Sequence, residues 1–136
     1  MSYLLDTNVC IALLNGCSEK VRALYIQAVL TKVPLATSSI CMHELWYGVA
    51  KSSQPSRNEW KLRAFIADDI EVLDYTNEDA RAAAQIRAEL EHKGTRIGEY
   101  DTLIAGQALA RGLTLVTANT REFNRVQNLQ LEDWTQ

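Results

Sequence analysis

Short apolar runs alternate along this chain with longer stretches in which apolar residues recur every three or four positions. That is the pattern of strands interleaved with helices. The run over residues 3–5 reads as a buried strand. A short helix over 9–14 follows and is stopped by Asn15-Gly16. Ser18 is placed to cap a helix carrying Val21, Leu24, Tyr25, Ala28 and Val29. A second strand over 34–37 leads through Ser38 or Ser39 into a helix reaching about residue 51. The segment 52–55 reads as a turn, 57–67 as a helix and 71–75 as a strand. Asn77 is the expected cap of a long helix ending at Gly94, with Ala80, Ala83, Ala84, Ile86, Arg87 and Leu90 near its buried face. A helix over 101–110 ends at Gly112, a core strand occupies 113–117, and 129–131 is a further edge strand.

This alternation predicts an α/β fold: an open, mostly parallel sheet flanked by helices on both faces. The 136 residues suit one domain with a real core, 1–136, and are too few for two. Sheets of this kind place ligands at the carboxyl ends of their strands. Asp6 follows the first strand and Asn119 follows the strand over 113–117, so both sit where that rule puts chemistry.

Three acids interrupt apolar surroundings. Asp6 leaves a buried strand, where a carboxylate is costly unless something cationic or hydrogen-bonding meets it. Glu44 has Ile40, Cys41, Tyr47 and Gly48 as its same-face helical neighbours, and Gly48 would allow close approach. Asp101 leads an apolar stripe of Ile104, Ala105, Ala108 and Leu109. Each has an ordinary explanation: a turn or cap for Asp6, a paired buried acid for Glu44, a dipole-favoured first-turn acid for Asp101. Three inward acids together need a common countercharge. With oxygen donors and no adjacent cysteine or histidine pair, that countercharge is a hard divalent cation, Mg²⁺ or Mn²⁺, rather than zinc. Asn119 and Thr7 are placed to hold a metal-bound water, Thr117 adds a further polar group, and Glu122 supplies another acid. His43 faces away from Glu44 on its helix, Trp60 and Trp134 read as packing residues, and Trp46 and Tyr47 read as packing residues that could alternatively stack a base at the rim of the site.

Charge and cysteine content narrow the class. The net charge of −3 is no general nucleic-acid footprint, but residues 81–125 hold seven bases against five acids. Neutralising Asp101 and Glu122 with metal would leave that stretch locally basic, which suits phosphate contact by Lys93, Arg96, Arg121 and Arg125. Three cysteines without a C-x-x-C pattern argue against disulfides and zinc knuckles. No signal peptide or membrane-length apolar run is legible, so a cytoplasmic protein is expected.

The order of motifs resembles the PIN-domain ribonucleases, and more narrowly the VapC toxins of bacterial toxin–antitoxin pairs. The matching segments are L-L-D-T-N at 4–8, H-E-L-W-Y-G at 43–48, Y-D-T-L-I-A at 100–105 and L-V-T-A-N-T-R-E-F at 115–123. The resemblance runs through the closing L-E-D-W. It implies a metal-dependent endoribonuclease that arrests translation, a VapB-type antitoxin partner, and a homodimer that forms a hetero-oligomer with the antitoxin. Asp6, Glu44 and Asp101 match the family's three acids, Asn119 a position held by Asp or Asn, and Glu122 a further acidic position. Glu99 departs from the pattern, standing where close relatives often carry proline. The resemblance further implies initiator tRNA, cut in its anticodon stem-loop, as a candidate target.

Two other readings compete. A haloacid-dehalogenase-type phosphatase needs a second Asp two residues after the first, where this chain has Asn8. A PIN-fold RNA-binding protein without nuclease activity would not need its acids intact.

Overall fold

The computed structural model describes residues 2–67 and 69–136. Its elements run β1 (Tyr3–Leu5), α1 (Thr7–Asn15), α2 (Glu19–Leu30), β2 (Leu35–Ser38), α3 (Ser39–Lys51) and α4 (Pro55–Ile66). They continue with β3 (Ile70–Leu73), α5 (Asn77–Lys93), α6 (Glu99–Arg111), β4 (Thr114–Val116), α7 (Thr120–Phe123) and β5 (Leu131–Glu132). The strands form one sheet in the order β3-β2-β1-β4-β5, and every pairing is parallel. The expected mostly parallel sheet is thus wholly parallel among the described residues. No described helix is long and apolar enough to cross a membrane.

Side chains alternate across the sheet with the period of two that extended backbone imposes. Leu4, Ala36 and Leu115 face one way, into a core with Ile86, Leu90, Ile97, Ile104, Ala105, Ala108 and Phe123. Leu5, Leu35 and Val116 face the other way, against Val9, Val21, Leu45, Leu62 and Trp134. Central strands buried on both faces cannot show polar alternation, which is why the apolar runs in the sequence are short and unbroken. The chain adds strands on one side of β1, then returns to build β4 and β5 on the other. The switch point therefore lies between β1 and β4, where the Asp6 N–H donates to the Val116 carbonyl at 3.1 Å.

Between β3 and β4 the chain places two successive helices, α5 and α6, which form the most extensive helix pair in the molecule. Their close approach depends on Gly106: a Cβ there would lie 2.6 Å from both the Cβ and the backbone nitrogen of Ala83. A buried polar clamp fixes the register of the pair. Asp79, 1% exposed, accepts from Gln107 Nε2 at 3.0 Å and is paired with Arg111 at 3.0 Å. Tyr75 donates its hydroxyl to the Leu103 carbonyl at 2.8 Å. The guanidinium of Arg111 and the other hydrogen bonds hold the Asp79 carboxyl below the ordinary carboxylate range despite burial.

Several local expectations are corrected. The long helix is capped by Thr76, in a reciprocal capping box with Asp79, and Asn77 is its first residue. Ala80, Ala84 and Arg87 are exposed along a groove, so the buried stripe of α5 is Asp79, Ala83, Ile86 and Leu90. Pro55 opens α4 instead of ending a turn, its fixed φ suiting a first helical position. Strand β3 starts at Ile70 and stops at Leu73, because Tyr75 turns away to hold α6. Helix α6 begins at Glu99, which puts Asp101 inside its first turn.

Two glycine substitutions should separate close packing from helix propensity. Gly106→Ala is expected to cost about 2–3 kcal/mol, the upper part of the overpacking range, even after the gain in helix propensity. Nothing lies within 4 Å of a Cβ at Gly48, so close approach does not require that glycine. Gly48→Ala should stabilise the protein by about 0.5–1 kcal/mol. Urea denaturation of both variants beside the wild type checks the pair, and equal effects of one sign would contradict the packing described.

Candidate active site

The carboxyl edge of the sheet carries the site, and each acid reaches it from a different element. Asp6 is the N-cap of α1, and its carboxylate accepts from the Val9 N–H at 2.8 Å. The adjacent Thr7 hydroxyl donates to Glu44 Oε1 at 2.7 Å, which fixes an acid on α3 beside the end of β1. Thr7 therefore orients a carboxylate directly; the expectation that it holds a water is not needed to explain it. Across the switch point, Thr117 at the end of β4 is fully buried and hydrogen-bonds the Asp6 carboxyl. Its hydroxyl also accepts from the Asn119 N–H at 3.0 Å. Asn119 in turn donates Nδ2 to Glu122 Oε2 at 3.1 Å, so Asn119 positions an acid on α7 much as Thr7 positions Glu44.

The electrostatics tie these residues together. Asp6 is 6% exposed, and burial raises its carboxyl above the usual range. The hydrogen bonds from Thr117 and Val9 partly oppose that rise, and the Glu44 charge adds to it. Asp101 is pushed up to about 6, first by burial and then by the charges of Glu122 and Asp6, by hydrogen bonding to Glu122, and by the charge of Glu44. Four acids thus repel one another across one small volume. Glu122 is the strongest charge acting on Asp101, a closeness that the spacing of residues on a short late helix could not reveal.

The donor set suits a hard cation. All the convergent groups are carboxylate or amide oxygens. Cys10 and Cys41 are buried nearby, but burial raises both thiols well above their ordinary value, so they stay neutral and offer no thiolate. Among the described residues, no three His, Cys, Asp or Glu side chains already close on one ion position. The acids are electrostatic neighbours on a partly buried edge rather than a finished coordination cage.

The other residues singled out from the sequence spread around this edge. Lys93 ends α5 and is exposed, as is Arg96 in the following loop. Arg125 donates to the Arg96 carbonyl at 2.9 Å, which joins that loop to the end of α7; Arg121 is exposed on α7 itself. Glu99 lines the groove between α5 and α6 with Arg87 and Arg96, and is not among the groups that shift Asp101. His43 is exposed and its ring lies 5.7 Å from Tyr100, beside Glu44 and Asp101 in sequence. Trp134 packs as expected, edge-on to Tyr3. Trp60 and Tyr47 do not pack: they are 72% and 61% exposed, because both lie on helix faces that no other element covers.

Comparison with known proteins agrees with this architecture. The family model described as PIN domain matches residues 3–129. The chain is 43% identical over 134 residues to the tRNA(fMet)-specific endonuclease VapC of Salmonella typhimurium, covering 98% of both chains. It is 39% identical to ribonuclease VapC2 of Rickettsia felis, again covering 98% of both. Among solved structures, VapBC2 of Rickettsia felis bound to a promoter DNA fragment matches with a TM-score of 0.92 at 38% identity, covering 98% of this chain and 99% of that one.

The raised Asp101 carboxyl predicts a pH dependence. A carboxyl whose folded-state value lies near 6, against 3.8 ordinarily, binds its proton more tightly in the native protein. Stability of the metal-free protein should therefore fall as pH rises from about 4 to about 6 and then level off. Asp101→Asn removes this contribution, so the stability gap between variant and wild type should widen over that interval. Thermal melts in chelator across pH 4.5–7.5 check it; a gap independent of pH would show that the four acids do not interact as described.

Proposed function

The chain belongs to the PIN-domain family, and from that premise we propose that it is a metal-dependent endoribonuclease, the VapC-type toxin of a toxin–antitoxin pair. The observation that carries this reading is the meeting of Asp6, Glu44, Asp101 and Glu122, from four separate elements, at the carboxyl edge of the sheet beside its switch point. The full-length likeness to VapC ribonucleases supports the same activity.

Asp6, Glu44 and Asp101 would hold Mg²⁺, with Glu122 and Asn119 beside them, and Mn²⁺ would substitute as another oxygen-seeking ion. When bound, such an ion neutralises the carboxylates, acidifies water and offsets charge on the scissile phosphate. The chain's own residues do the rest. The Val9 N–H and Thr117 keep Asp6 oriented, Thr7 keeps Glu44 oriented, and Asn119 does so for Glu122. Glu122, the acid whose charge acts most strongly on Asp101, would take a proton from attacking water, and the leaving 3′-oxygen would take one from solvent. Attack by water rather than by the ribose 2′-hydroxyl leaves a 5′-phosphate and a 3′-hydroxyl.

The substrate is RNA, with initiator tRNA as the leading target, in line with the tRNA(fMet)-specific endonuclease of Salmonella, and the unpaired bases of its anticodon stem-loop are the proposed place of cleavage. Lys93, Arg96, Arg121 and Arg125 would contact its backbone. Such a target places the protein in the cytoplasm. The partner is a VapB-type antitoxin, in line with the solved VapBC assemblies of similar chains. A homodimer is the proposed active unit, and a basic antitoxin segment would neutralise the acids through bidentate arginine pairing.

Asp6→Asn tests the reading. Asn keeps the helix cap while removing a buried charge, so the variant should melt at or above the wild-type temperature in chelator and cut no RNA. Mapping of 5′-phosphorylated ends in total RNA should show wild-type cuts concentrated in one tRNA loop. Cleavage by the variant at the wild-type rate would overturn the assignment. Purification of the tagged toxin from its native locus should also yield a small co-purifying protein, and a lone monomer would count against the partner.

A further inference from the structure

A small pocket of about 110 Å³ opens between the side of α5, the end of α6 and the loop that follows α7. Buried Ile86 and Leu90 of α5 lie in its lining. The rest is largely polar: the carboxamides of Gln85, Gln127 and Asn128, the Glu89 carboxylate and the Arg125 guanidinium. Among the described residues, none of the three carboxamides is hydrogen-bonded to another group. Arg87 and Arg96, the cations closest to Glu89 in this region of the chain, both pair with Glu91, at 3.0 and 3.8 Å, and leave Glu89 without one. Arg125 is tethered instead, with its Nη1 donating to the Arg96 carbonyl at 2.9 Å.

This pocket adjoins the acids. Arg125 follows Glu122 by three residues, and its N–H donates to the Glu122 carbonyl at 3.0 Å. Residues so spaced in a tight turn share one side of it. Glu122 is the acid whose charge acts most strongly on Asp101, so one turn of chain joins the acid cluster to the wall of the pocket. We propose that the pocket takes one unpaired guanine of the substrate RNA, close to the cut. Glu89 accepts from the N1–H and the 2-amino group of the base, and the Gln127 and Asn128 carboxamides donate to its O6. Arg125 meets the phosphate between that base and the acids. The inference rests on the ribonuclease reading and specifies which base its substrate presents.

The chemistry of the walls selects guanine. An unpaired carboxylate beside a phosphate contact is costly unless the ligand brings donors to it. Of the four bases, guanine alone offers two adjacent N–H donors beside a carbonyl acceptor on its pairing edge. The volume is far below the roughly 300–1,000 Å³ of larger ligand sites, which suits a single base. Pairing edges are free only outside a duplex, so the pocket reads loops and not stems. Charge selects RNA over a basic polypeptide, because Arg125, Arg96 joined to it and Arg121 one turn before it attract a polyanion and repel a cationic segment.

Binding to uncut RNA tests this. In the Asp6→Asn background, affinity is measured for a fluorescent stem-loop whose pyrimidine loop holds a single guanine, and for the same RNA with inosine or adenine there. The guanine loop should bind about tenfold tighter than the adenine loop, with inosine, which lacks the 2-amino group, between them. Glu89→Gln should erase that order, which a merely structural role would leave in place. Asn128→Gly keeps the left-handed backbone at φ 69° while removing the amide, and should weaken guanine binding about threefold. Glu71→Gln, removing an exposed acid on β3, is the control and should change nothing. Equal affinity for the three loops, or the same order in Glu89→Gln, overturns the proposal while leaving the ribonuclease reading intact. Guanosine monophosphate binding that depends on Glu89, without a preference among the loops, overturns it in favour of a free nucleotide. Loss of antitoxin affinity in Glu89→Gln with the base order unchanged overturns it in favour of a polypeptide. If the Asp6→Asn protein binds no RNA at all, the ribonuclease reading falls and this proposal with it.

Discussion

Carboxylates held close together at the end of a buried parallel sheet are the constraint around which this molecule is built. Asp6 is almost out of water at the end of the central strand, and each neighbouring acid raises the cost of ionising the others. The protein meets part of that cost with short hydrogen bonds. Val9 N–H and Thr117 serve Asp6, the Thr7 hydroxyl serves Glu44, and the Asn119 amide serves Glu122. What remains is an excess of negative charge concentrated at the half-buried end of the sheet, which a divalent cation is suited to balance. The same repulsion that burdens the fold makes the edge a cation site.

The position of Asp101 depends on packing far from the chemistry. Helix α6 carries it in the first turn, and α6 is held by contacts further along its length. Gly106 brings α6 against the backbone of α5, and Asp79 grips Gln107 and Arg111. Replacing the glycine with any side chain would push the helices apart and shift the first turn relative to the sheet edge. Asp79 is an acid of the opposite kind from Asp101: fully partnered, with a depressed carboxyl, it stabilises the fold and takes no part in the chemistry. Two acids drawn into the same helix pair thus have opposite roles, decided by whether their neighbours are donors or other acids.

The surface around the acids is divided by charge. The α7 end and the loop after α5 present Arg121, Arg125 and Arg96, and the α4 edge presents Arg57 and Lys61. Cationic side chains attract a polyanion locally even on a chain of net charge −3, whereas carboxylates that no cation balances repel it.

Amino-acid order alone specifies the alternation of strands and helices, the largely apolar central strands, and the four acids in their succession. Apolar periodicity and cap residues are local signals, and motif order needs no coordinates, so the PIN-family likeness is legible in the chain itself. The partners of those acids are only partly legible there. Thr7, Thr117 and Asn119 stand out as polar residues beside the acids, but which carboxylate each one holds depends on pairings as distant in sequence as Thr7 with Glu44 and Thr117 with Asp6. Trp60 reads wrongly as a packing residue because helical spacing reports which residues share a face and not whether another element covers it. Ala80, Ala84 and Arg87 read wrongly as buried for the same reason, since the inner side of α5 is set by where α6 lies. Those exposures come from the three-dimensional packing, because burial belongs to the assembled layers and to no single segment.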